Sequence, residues 1–158
     1  MTEEDEKART DRELGELMEE VRAAIPGAEL LFAFLLGVAF TGRFETITAL
    51  QRNVYFATLL LSAGATALLI APTAYHRLHF RDGGKDKEQL LFTATRMVIG
   101  SLVLLLLAVC GVVYLVADLL YAPAAAGLFG AATAAWFGWF WFGLPLTRRA
   151  KSSGRAKG

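Results

Sequence analysis

The chain has 158 residues, 55% of them apolar and 20% charged, with a formal net charge of +1. Its apolar residues are gathered into blocks instead of recurring on one side of each helix, which excludes an ordinary soluble α-bundle with polar faces at a 3.6-residue period. One cysteine, Cys110, excludes an intramolecular disulfide and a thiolate metal centre, and reads as a small packing residue.

From the N-terminus, residues 1–10 form an acidic tail expected to be disordered. Residues 11–25 carry Leu14, Leu17, Met18, Val21 and Ile25 at helical spacing, with charges around the rest of the circumference. Thr10 followed by Glu13 has the capping-box pattern. This predicts an amphipathic interfacial helix, and its acidic surface suits docking on protein better than on anionic lipid. A subunit-joining coiled coil is the alternative, although two heptads are few to specify one.

Pro26 and Gly27 then predict a helix start, since proline fits a first helical turn. Only the 13 residues Leu30 to Gly42 are free of charge, but extension over 28–47 gives 20 residues. A crossing of about 30 Å of hydrocarbon needs roughly 20. Glu29, Arg43 and Glu45 would snorkel at its ends. A re-entrant hairpin is the other reading of so short an apolar core.

Three further stretches are uncharged: Asn53 to Tyr75, 23 residues; Met97 to Ala117, 21; and Leu119 to Thr147, 29. They predict spans over about 53–75, 95–118 and 122–146. Asp82-Gly83-Gly84-Lys85 signals a turn in the loop between the second and third, and Ala122-Pro123 closes a short link before the fourth. A basic tail over 148–158, rich in Lys, Ser and Gly, is expected to be disordered. The expected fold is therefore all-α: an integral membrane four-helix bundle over 26–147, preceded by an amphipathic cytoplasmic helix.

Lysine and arginine set the orientation of such a bundle. Fourteen lie before the first span, between the second and third, or after the fourth, against Arg43 and Arg52 alone elsewhere. Both termini are therefore expected in the cytoplasm. Trp136, Trp139 and Trp141 with Phe140 and Phe142 suit an inner aromatic belt, and Tyr55, Tyr114 and Tyr121 an outer boundary. These basic residues follow from topology and give no nucleic-acid surface.

Polar groups at membrane depth are the candidates for function. Thr58, Ser62 and Thr66 share one face of the second span and would line an ion path, or else bond their own helix and pack. Asp118 projects on the outer side with Arg43, Glu45, Gln51 and Arg52, forming an outer charge cluster. A pairing with an arginine there competes with ion or proton handling. Glu29 is expected at the helix N-terminus opposite, where the dipole favours an anion, and His76 ends a neighbouring span on that side. Interfacial ion pairing competes with a proton-linked site. Gly130, Ala134 and Gly138 form a small-residue ridge for close helix packing. His76 and His79 with Asp82 and Asp86 make a poor metal set beside arginines, so no metal and no cofactor is expected. The sequence has no Gly-x-Gly-x-x-Gly, Walker or Gly-x-Ser-x-Gly motif, and an enzyme is not expected.

Leu31-Phe32-Ala33-Phe34-Leu35-Leu36, Arg43-Phe44, Gln51-Arg52, and Leu69-Ile70-Ala71-Pro72 followed by His76-Arg77 resemble a bacterial family of small membrane proteins of unknown function. The similarity is strongest from about Leu14 to Phe80. Some members carry a sodium:proton antiporter label, and no catalytic residue of the family is available to transfer. The resemblance implies a plasma-membrane location and raises ion translocation over scaffolding. The expected protein is thus a homo-oligomeric ion channel or ion/proton-coupled transporter in contact with membrane lipid, moving a monovalent cation or proton; the alternative is a non-transporting scaffold or regulatory subunit.

Overall fold

Four α-helices carry the chain in a computed structural model that describes residues 3–79, 87–121 and 123–143, with the side chains at 3, 4, 6, 7, 10, 11, 14, 43, 75–79, 87–90 and 142 outside that description. The helices are α1 (Glu3–Val38), α2 (Ala49–His79), α3 (Lys87–Leu120) and α4 (Pro123–Gly138). A short 3₁₀ turn, Gly42–Thr46, lies between α1 and α2, and a π turn, Trp139–Gly143, extends α4. There is no strand among the described residues. Three helices are long and apolar enough to cross a membrane, over Gly15–Val38, Ala49–Ala74 and Leu91–Leu120.

Helix α1 differs from the sequence expectation at both ends. It begins at Glu3, within the segment expected to be a disordered tail, and runs through Pro26 without a break. The expected interfacial helix over 11–25 and the expected span from 28 are one helix, which ends at Val38 and not near Ile47. Its packing explains the continuity: Val21, Ala28 and Leu35 are buried in steps of seven, on both sides of the proline. An internal proline removes one N–H and crowds the preceding turn, costing about 3 kcal/mol. Pro26 itself is exposed. Beyond Val38, Phe40 N–H donates to the Gly37 carbonyl and Thr41 N–H to the Val38 carbonyl, closing the helix with a tight turn.

The chain forms two units. The first comprises residues 1–48 and 59–105, and the second residues 49–58 and 106–158. In the first, Val21 and Ala28 of α1 and Leu69 of α2 form the core, with Ala24, Ile25, Val98 and Leu105 packed against it. The α2 and α3 segments of this unit run antiparallel and close together. A Cβ on Gly64 would stand 3.2 Å from Leu104 and one on Gly100 3.4 Å from Leu68. In the second unit Gly111 of α3 lies against Thr58 of α2, with the threonine Cβ 3.2 Å from where a glycine Cβ would be. Gly130 of α4 faces Tyr114 and the Cys110 carbonyl.

Seven-residue spacing recurs on the other long helices. Among the described residues of α2, those buried are Tyr55, Thr58, Ser62, Ala65, Leu69 and Pro72, alternating steps of three and four; those of α3 include Ala94, Ser101 and Ala108. A 3.5-residue repeat keeps one seam of a helix against its neighbours. Most residues on these seams are small, the composition that lets apolar helices approach where lipid offers no hydrophobic drive. Large apolar side chains point outward instead, among them Leu30, Phe34, Phe56, Leu60, Phe92, Leu107, Leu128 and Trp136.

Candidate functional site

The polar residues of α2 do not form one exposed stripe. Thr58 and Ser62 are buried in the packed seam, whereas Thr66 is half-buried and Thr73 exposed. A row at steps of four drifts around a helix of 3.6 residues per turn, and the seam instead follows three and four. The Thr58 hydroxyl donates to the Val54 carbonyl at 2.7 Å and that of Thr66 to the Ser62 carbonyl at 3.0 Å. On α3, Thr95 donates to Leu91 and Ser101 to Val98, each at 2.7 Å. Such bonds to the preceding turn satisfy a hydroxyl in an apolar setting without a partner on another helix. Ser62 differs, for its hydroxyl oxygen is fully buried and has no hydrogen-bond partner.

The second unit holds a polar pair between two helices. Gln51 Nε2 donates to Asp118 Oδ2 at 2.7 Å, joining the first turn of α2 to the last turn of α3. The length is that of a strong charge-assisted bond. Asp118 thus meets a glutamine where sequence spacing offered an arginine, and among the described residues no ion pair links it to Arg52, which is exposed. Tyr55, one helical turn from Gln51, is buried, and Tyr114, one turn from Asp118, is half-buried. Arg43 and Glu45 lie in the 3₁₀ turn of the first unit, Glu45 exposed and the Arg43 side chain outside the described residues.

Glu29 is exposed and has no helix N-terminus beside it, because α1 begins 26 residues earlier at Glu3. The dipole argument for an interfacial anion therefore does not apply to it. His76 and His79 lie in α2 with their side chains outside the described residues; the turn expected at 82–85 and the tail expected at 148–158 fall outside the described residues altogether. Among the described residues no group of three His, Cys, Asp or Glu side chains is placed to hold a metal ion.

The expected ridge on α4 divides. Gly130 packs on α3, Ala134 is half-buried, and Gly138 has open space where a Cβ would stand. Trp136 stacks obliquely on Phe140 at 5.1 Å and Phe137 meets Trp141 edge-on at 5.3 Å, while Trp136, Trp139 and Phe140 remain exposed. Sequence reasoning overlooked Gly111 and Ser101, and read Tyr55 only as an aromatic of the outer boundary. The signal for Ser101 was the seven-residue repeat of small residues in α3, Ala94, Ser101 and Ala108, with Gly111 three residues on, hidden by a run of leucine and valine.

A family profile matches residues 3–145, a stretch that contains all of the described residues. The chain belongs to DUF6328, a family of unknown function. The match agrees with the resemblance of its sequence to an uncharacterised family. No curated protein and no solved structure matches the chain.

Proposed function

We propose that this DUF6328 member is a homo-oligomeric, multi-pass protein of the plasma membrane that serves as a non-transporting scaffold or regulatory subunit. The observation that carries this reading is the closed seam of the helices: Thr58 sits against Gly111, and the hydroxyls of Thr58, Thr66 and Ser101 are bonded within their own helices. Packed against Gly111, the Thr58 hydroxyl has no space beside it for an ion, so its oxygen is not placed to replace part of a hydration shell. Three helices have the length and composition of membrane spans. Helix α4 with its π turn covers 21 residues, about the roughly 20 that a crossing requires, which supports a fourth span. The lysine and arginine distribution supports cytoplasmic termini. No motif of the sequence argues for an enzyme.

Ion or proton translocation is the second reading, favoured by the Gln51–Asp118 pair and by the unpaired hydroxyl of Ser62. Purified protein reconstituted in liposomes separates the two. The scaffold reading expects Na⁺, K⁺ and H⁺ fluxes equal to those of empty vesicles, across pH 5 to 8 and under both signs of potential. A wild-type flux above that control, lowered by Ser62→Val and by Asp118→Asn, would replace it with translocation.

A further inference from the structure

The open face of α4 changes character toward its end. Leu128, Phe129, Ala132 and Ala135 are exposed along it, and Trp136, Trp139 and Phe140 follow, exposed as well. All three tryptophans of the chain fall within residues 136–141. Trp139 lies sixteen residues after Pro123, about 24 Å at the helical rise, against about 30 Å of hydrocarbon. A helix that enters one boundary at Pro123 therefore brings its indoles to the other, where a ring with an apolar body and one N–H is best placed. The Trp139 ring is also held in position. It lies across Gly143, where a Cβ would stand 2.9 Å from Cε3 and 3.3 Å from Cδ2, so the π turn supports part of the indole and leaves the rest open. Trp136 is propped against Phe140.

Charge selects the occupant of this surface. From Leu119 to Gly158 there is no acidic residue, and Arg148, Arg149, Lys151, Arg155 and Lys157 follow the aromatic turn. Arg148 is five residues beyond Gly143, so even a fully extended chain keeps it within about 18 Å of the turn. Lipid phosphates lie at the level of interfacial indoles, and four or more bases directly beside a span attract anionic headgroups. We propose that the end of α4 is a binding surface for anionic phospholipid, with Trp136 and Trp139 among the headgroups and the five bases that follow on their phosphates. The inference rests on the membrane reading above and goes beyond it by naming the class of lipid.

Because the chain has no tryptophan elsewhere, its tryptophan fluorescence reports on this surface alone. The full chain is reconstituted in phosphatidylcholine vesicles that contain equal fractions of dibrominated phosphatidylglycerol or dibrominated phosphatidylcholine, whose bromines quench indoles on contact. At low salt the anionic quencher is expected to associate about threefold more strongly than the zwitterionic one. Replacement of the five bases by glutamine, or about 0.5 M salt, is expected to abolish that preference. Equal quenching by the two lipids, or a preference that survives the glutamine replacements, overturns this inference alone. Alkaline carbonate extraction of native membranes separates the remaining failures. Retention in the membrane with little quenching by either lipid assigns the face to a second copy or another protein, and also overturns this inference alone. Release by carbonate overturns the membrane reading and this inference with it.

Discussion

Thr58 and Ser62 are four residues apart on one helix and both are buried, yet their hydroxyls differ: one is bonded to Val54 and the other to nothing. A buried hydroxyl without a partner retains its desolvation penalty, so Ser62→Ala should leave stability unchanged or raised by about 1 kcal/mol. Thermal unfolding in detergent checks this, and a fall in melting temperature would show that Ser62 has a partner. Gly111→Val places two methyl groups against Thr58 and should destabilise by about 1–3 kcal/mol, with part of the loss recovered in a Thr58→Ala background. Equal losses in both backgrounds would deny the contact. For Asp118, the accepted bond from Gln51 predicts that Gln51→Glu, which sets a second carboxylate against it, lowers the melting temperature more than Gln51→Ala.

Among the elements, α1 departs furthest from what its sequence suggests. If Pro26 opened a helix, its replacement by alanine would be close to neutral, because a first-turn proline lacks only an N–H that has no helical acceptor. Inside a continuous helix the same change should stabilise, by as much as about 3 kcal/mol, and circular dichroism during melting measures it. Helix α4 gives a paired test: Gly130→Leu should disrupt packing on α3, whereas Gly138→Ala should not alter unfolding. The apolar lengths of α2 and α3 were legible because twenty or more uncharged residues leave few alternatives to a buried or membrane-crossing helix. The path of α1 was legible only in part. Its stripe of Leu17, Val21 and Ile25 continues as Ala28, Leu31 and Leu35, so the repeat already crossed Pro26, but local proline chemistry pointed to a boundary. The hydroxyl row was misleading for a related reason: Thr58, Ser62 and Thr66 look collinear at steps of four, whereas a packed seam alternates three and four and turns Thr66 partly outward. The Gln51–Asp118 bond could not be chosen from spacing alone, since Arg52 stands next to Gln51 and register decides which side chain faces α3.

At the scale of the molecule, the helices within each unit meet along seams rich in Ala, Ser, Thr and Gly. Its large apolar residues are turned outward, where lipid or another protein surface would cover them. Outward Leu30, Phe34, Leu60 and Leu128 would be costly in water and are expected in hydrocarbon, so the exposed surface and the internal packing argue for the same environment. The fourteen-to-two division of basic residues predicts which way the chain crosses that environment, with both termini on the cytoplasmic side. The most direct measurement is cysteine accessibility in intact cells, with single cysteines at Thr41, Gly84, Tyr121 and Ser153 in a Cys110→Ala background and a membrane-impermeant thiol reagent. Cysteines at Thr41 and Tyr121 are expected to react from outside, and those at Gly84 and Ser153 only after permeabilisation. Labelling of Gly84 or Ser153 in intact cells, or protection of Thr41 and Tyr121 until the membrane is opened, would contradict it.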